Sequence, residues 1–181
     1  MRSEWALKKI SDIAVFNPKE RLPMGAFAKK IGMDRLQPFT RDVSSYELAK
    51  YSGGTKFKNG DTIMARITPC LENGKIVVAR GVGGTGDVKL TKERCYLTNL
   101  SISADIDENI ALPEFVYYYY LPRNLRYLDS GSAQSQITIS DLEKVMIPLP
   151  SLDEQRAICG YMKMLDRKIE INEEVNENLV A

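Results

Sequence analysis

Apolar and polar positions alternate most regularly at the C-terminal end of the chain. Reading Ile158, Met162, Leu165, Ile169, Asn172, Asn176 and Leu179 gives spacings of four, three, four, three, four and three, the a/d rhythm of a helix that pairs with another helix. Two of these seam positions are asparagine, which costs stability when buried but penalises wrong registers, so it selects a partner and an alignment. The competing reading is a helix that caps its own domain. Ser151 and Glu154 have the spacing of a capping box and open this helix, placing a domain boundary at Pro150.

Upstream the pattern shortens and changes period. Leu7, Ile10, Ile13 and Ala14 have helical spacing, which predicts a short helix or a strand-to-helix entry over Trp5–Phe16, with Ser11 or Asp12 as cap. Asn17-Pro18 and Leu22-Pro-Met-Gly25 break that pattern, and a basic loop is predicted around Lys29 and Lys30. From Thr55 to Arg80 the β-branched run Thr62–Ile67, the turn Asn59-Gly60-Asp61 and the turn Glu72–Lys75 before Ile76–Ala79 predict a β-meander with basic corners. Pro113–Leu128 reads as a helix that Pro122 must kink or divide. Ser130–Gln136 is a polar loop, Ser140 and Glu143 have capping-box spacing for a short helix, and Val145–Pro150 reads as a strand closed by proline. These elements make a mixed α/β (α+β) body over residues 1–150, followed by a long C-terminal coiled-coil helix over 151–181.

Composition narrows the chemistry. Hydrophobic residues at 44% and charged residues at 27% suit a globular fold. No apolar run approaches the ~18–20 residues needed to cross a bilayer, and Met1–Trp5 leads into no apolar signal core, so the chain is expected in the cytoplasm. There is no histidine, which removes Ser-His-Asp triads and most transition-metal sites. Cys70, Cys95 and Cys159 fit neither a disulfide framework nor a zinc site. The net charge of +1 divides unevenly: residues 151–181 hold four Lys/Arg and seven Asp/Glu, leaving 21 against 17 on a mildly basic body, compatible with nucleic acid without requiring it.

Several motifs invite sharper readings and have plainer ones. Gly81-Val-Gly-Gly-Thr-Gly86 suggests a phosphate loop but lacks the Gly-Lys-Ser/Thr ending, which favours a turn. Tyr117–Tyr120 could stack bases, yet on a helix they would point around most of the circumference, which favours core packing with polar tips. In Ile67-Thr-Pro-Cys70, proline ends a strand and the cysteine packs as a small hydrophobe.

Four stretches spread along the chain, WALKKISDIA (Trp5–Ala14), GDTIMARITPCLENGK (Gly60–Lys75), GSAQSQITISDLEKV (Gly131–Val145) and IPLPSLDEQRAICGYMKMLDRKIEINEEVNENL (Ile147–Leu179), resemble the DNA sequence-specificity subunits of type I restriction–modification systems. The resemblance implies a target recognition domain that reads one half of a bipartite site in double-stranded DNA, followed by a conserved helix. In such subunits paired antiparallel helices set the gap between half-sites and dock the modification (methyltransferase) subunits, with the restriction (translocase/nuclease) subunit joining indirectly. Full-length subunits hold two recognition domains and two helices, whereas this chain holds one of each, so it looks like a half-subunit that forms a homodimer or pairs with another specificity half. The implied role is non-catalytic and needs no cofactor and no metal.

For DNA contact, amides pair bidentately with adenine, arginine with guanine, and lysine mainly holds phosphate. On that basis Ser132, Gln134, Ser135 and Gln136 are candidate base readers, and Lys56, Lys58, Arg66 and Lys75 are candidate backbone contacts. Two other classes compete with this reading. An enzyme would need cofactor motifs that are missing: neither an Asn/Asp-Pro-Pro-Tyr segment nor a glycine-rich loop placed for S-adenosylmethionine is present. An assembly-only or silent half-subunit would pair through its helix without reading DNA.

Overall fold

Strand β1 (Ala6–Lys9) pairs antiparallel with β10 (Met146–Leu149), so the two ends of the body meet immediately before the C-terminal helix begins. The computed structural model describes residues 5–32, 35–36, 42–43, 45–65, 76–78, 95–97, 101–123, 126–128 and 137–180. A single 3-10 turn, Ile10–Asp12, links β1 to β2 (Ala14–Phe16). The helical entry expected over Trp5–Phe16 is therefore two strands around one turn. Ile10 and Ile13 have helical spacing because both plug the core at that turn, while each flanking segment finds a partner strand, β10 on one side and β9 (Ser101–Ile106) on the other.

Two further sheets build the body. The first has the order β2-β9-β6-β7, all antiparallel, with β6 at Thr62–Ala65 and β7 at Ile76–Val78. The second has the order β4-β3-β8-β5, made of β3 (Phe27–Ile31), β4 (Glu47–Lys50), β5 (Lys56–Phe57) and β8 (Cys95–Leu97), with β3 and β8 parallel. The predicted meander is thus only half right. β6 and β7 are antiparallel neighbours, but β5 leaves for the second sheet and pairs with β8. The turn between β5 and β6 is the expected Asn59-Gly60, with Gly60 at φ +100°, where a side chain would be strained.

Strand β6 is buried on both faces, and its period of two separates two cores. Met64 joins the larger cluster with Ile102, Ala104 and Ile106 of β9 and with Phe115, Val116 and Tyr117, whereas Ile63 joins Ile31, Leu36, Val43, Phe57 and Cys95 under the second sheet. The Ser103 hydroxyl donates to the Lys56 carbonyl oxygen at 3.4 Å, tying one sheet to the other.

Helix α1 (Pro113–Tyr120) starts with proline at its first position, where no N–H is needed, and stops before Pro122. Tyr117, Tyr118 and Tyr120 are buried and Tyr119 is partly buried against the core, as core packing requires. The Tyr118 hydroxyl donates to Asp166 and the Tyr119 hydroxyl to the Met146 carbonyl oxygen, so two polar tips are satisfied. Helix α2 (Ile139–Leu142) is capped by Thr138, whose hydroxyl oxygen accepts from the Asp141 N–H at 3.2 Å. The cap falls two residues before the expected Ser140, because Ile139 and Leu142 must turn toward the core. Helix α3 (Leu152–Val180) opens on the expected box: the Ser151 N–H donates to Glu154 at 2.9 Å and the Glu154 N–H donates to the Ser151 hydroxyl oxygen at 3.4 Å.

Candidate pairing helix and nucleic-acid interface

At 1.5 Å per residue the 29 residues of α3 extend about 43 Å. Its two halves have different surroundings. In the first half Gln155 and Cys159 are buried, and Ile158 and Met162 pack against the body's main core. Gln155 is wholly enclosed. Its Nε2 donates to the carbonyl oxygens of Ile110 (3.1 Å) and Pro150 (2.9 Å), and its Oε1 accepts from the Leu112 N–H at 2.8 Å. Lys163 donates to the buried Glu114 of α1 at 3.1 Å, and Asp166 accepts from Tyr118.

From Arg167 to Leu179 every described side chain is exposed. A free stretch of that length is marginal as a helix in water unless an apolar face is covered. It carries such a face: Tyr161, Met164, Leu165, Ile169, Ile171, Val175 and Leu179 are all exposed large hydrophobics. Since each residue turns the helix by about 100°, the stripe centred on Tyr161, Leu165, Val175 and Leu179 lies roughly 140° around from the line through Gln155, Cys159, Met162 and Asp166 that meets the body. Beyond Asp166 that body-facing line continues as Glu170, Glu173 and Glu177.

The seven seam positions therefore divide. Ile158 and Met162 contact the chain's own core, while Leu165, Ile169, Asn172, Asn176 and Leu179 are exposed. Periodicity alone missed a second series, Tyr161, Leu165, Lys168, Asn172, Val175 and Leu179, with spacings of four, three, four, three and four. It shares three members with the first and faces solvent throughout. The two series can be told apart only once Gln155 and Cys159 are known to face inward.

Of the candidate DNA contacts, Lys56 and Lys58 are described; Arg66, Lys75, Ser132, Gln134, Ser135 and Gln136 lie outside the described residues, as do Cys70 and Gly81–Gly86. The Lys56 ammonium sits 5.3 Å from the Tyr51 ring centre, a cation–π contact that leaves its charge unneutralised. Lys58 is already engaged: its ammonium forms an ion pair with Asp105 of β9, and its backbone N–H donates to Asp61 at 3.0 Å. The hydrogen bond with Asp105 raises the Lys58 pKa against a smaller opposing effect of burial. Asp61 is almost completely enclosed, its Oδ1 lacks a hydrogen-bond partner, and burial pushes its pKa up to about 6.

A body of two knitted sheets with a long, half-exposed helix is the architecture of a recognition module carrying an assembly element. Residues 2–181 match the family of the type I restriction modification DNA specificity domain, and the chain belongs to that family. It is 27% identical over 166 residues to the EcoEI specificity subunit and 29% identical over 167 residues to the EcoAI specificity subunit, both type I restriction enzymes of Escherichia coli. Those matches cover 89% and 85% of this chain but only 27% and 26% of the relatives. In fold it is similar to the HsdS subunit from Thermoanaerobacter tengcongensis, with a TM-score of 0.72 at 17% identity, covering 97% of this chain and 45% of that one. The mixed α/β body and long C-terminal helix are the shared features. Among the described residues no helix is long and apolar enough to cross a membrane.

Proposed function

We propose that this chain is the DNA-reading half of a type I specificity subunit, in which residues 1–150 recognise one half of a bipartite site and residues 151–181 set its spacing and dock the modification subunits. It acts in the cytoplasm, where chromosomal DNA is accessible, and alters no bond itself. Methylation, translocation and cleavage belong to the modification and restriction subunits. The observation that carries this reading is the exposed distal half of α3: a helix that is anchored by Gln155, then leaves its body with an uncovered apolar stripe, requires a second helix.

The exposed stripe is self-complementary. In an antiparallel pair centred on Glu170, Tyr161 meets Leu179 of the second helix, Leu165 meets Val175, and Lys168 meets Asn172. A patch that fits itself suits a two-fold homodimer, which would restore two recognition domains and read an inverted repeat. A different specificity half presenting the same stripe would serve equally as partner and give an asymmetric site.

Genome-wide adenine-methylation sequencing with the gene intact and deleted tests this function. Loss of one bipartite motif on deletion is the expected result, and an inverted-repeat motif identifies the homodimer. Retention of every motif, in cells where the modification subunit is expressed, would leave the assembly-only reading in its place.

A further inference from the structure

We infer that the outer face of the β3–β4 ribbon is a DNA-contacting surface, with Phe27, Tyr46 and Leu48 against sugars and thymine methyls of a groove and Lys50 on a neighbouring phosphate. This rests on the DNA-reading function proposed above and adds to it residues that motif and charge reasoning passed over.

The register places these side chains together. Phe27 is opposite Lys50 and Lys29 is opposite Leu48, and directly opposed residues of an antiparallel pair share a face. Ala28, on the other face, is buried with Leu22, Tyr51 and Tyr96. The inner face is thus the packed one. On the outer face Phe27 is 64% exposed, Leu48 65% and Tyr46 44%, a cluster of large apolar groups of the kind that marks an interaction site rather than scattered surface.

Charge selects the partner. The Lys29 ammonium lies 4.3 Å from the Tyr46 ring centre and the Lys50 ammonium 5.7 Å from that of Phe27. The one carboxylate on the two strands, Glu47, is opposite Lys30 on the inner-face register and pairs with it at 3.5 Å. The strand positions on the outer face therefore carry two positive charges and no negative one. Lysine is depleted in protein–protein interfaces, whereas lysine interleaved with apolar groups suits phosphates flanking base and sugar edges. β4 is also the terminal strand of its sheet, and a two-stranded ribbon fits a major groove about 12 Å wide.

The test uses the full chain in complex with its modification subunit, and duplexes with and without the motif found by methylation sequencing. Phe27→Ala and Leu48→Ala are each expected to weaken binding to the motif duplex about tenfold. Lys50→Gln should lower the magnitude of the logarithmic salt slope by about 0.9, the value for one lost phosphate contact. All three side chains are exposed, so unchanged melting temperatures are expected to accompany these losses. Variants that match the wild type in affinity and slope, in a complex that binds the motif selectively, would overturn the ribbon assignment and leave the specificity function standing. Loss of the modification subunit with DNA binding retained would also overturn it, in favour of a protein contact. A wild-type complex with no sequence preference would overturn both.

Discussion

The Oε1 of Gln155 accepts a 2.8 Å hydrogen bond from the backbone N–H of Leu112, the residue that caps α1. With two more bonds from Nε2 to Ile110 and Pro150, one enclosed amide fastens the pairing helix to the body. A buried group with all its partners present is stabilising, and its removal strands them. Gln155→Leu is expected to cost about 3 kcal/mol and to lower the melting temperature by roughly 6–12 °C. A loss below 1 °C would mean that water or neighbouring groups replace these bonds.

The two halves of α3 should respond oppositely to mutation. Ile158→Ala and Met162→Ala remove contacts with the chain's own core and should each cost about 1–2 kcal/mol in thermal unfolding, less than a fully buried residue, without changing association. Leu165→Asp with Ile169→Asp places charge in the exposed stripe and should abolish self-association or partner docking. Light scattering together with melting curves separates the two effects. Unchanged mass and partner binding in the aspartate variant would sink the pairing assignment.

Asp61 predicts an unusual pH response. Its carboxyl holds a proton up to about pH 6 in the folded chain against 3.8 for the ordinary group. Between those values the folded state binds more protons than the unfolded one, so this group's contribution to stability falls as pH rises. Asp61→Asn removes the buried charge while keeping an oxygen for the Lys58 N–H. It should stabilise the protein by about 2–3 kcal/mol at pH 7.5 and by little at pH 4. Melting curves across that range check the sign, and a variant less stable than the wild type at pH 7.5 contradicts it.

Gln134→Ala with Gln136→Ala should relax sequence preference while leaving assembly intact, because an amide that pairs with adenine discriminates by ~1–3 kcal/mol per base. Competition between matched and mismatched duplexes measures this. An equal loss for all sequences would remove them from base reading.

Local chemistry was legible in the sequence wherever a few neighbouring residues settle the outcome. The Ser151–Glu154 box, the Asn59-Gly60 turn, the proline-limited α1 and the 3.5-residue rhythm of α3 all follow from side chains within one or two turns of each other. What depended on distant partners was not legible. β5 joins β8 across 38 residues of chain, Trp5–Phe16 becomes strand because β10 and β9 lie beside it, and the lysine–aromatic face arises only when β3 and β4 come into register. The same holds for the pairing helix. Its sequence determined that an apolar stripe with a coiled-coil period exists, but two stripes share that period, and only the burial of Gln155 and Cys159 decides which one the body takes and which is left for a partner. A helix repeats its pattern around its circumference without marking inside from outside; that distinction is made by the surface packed against it.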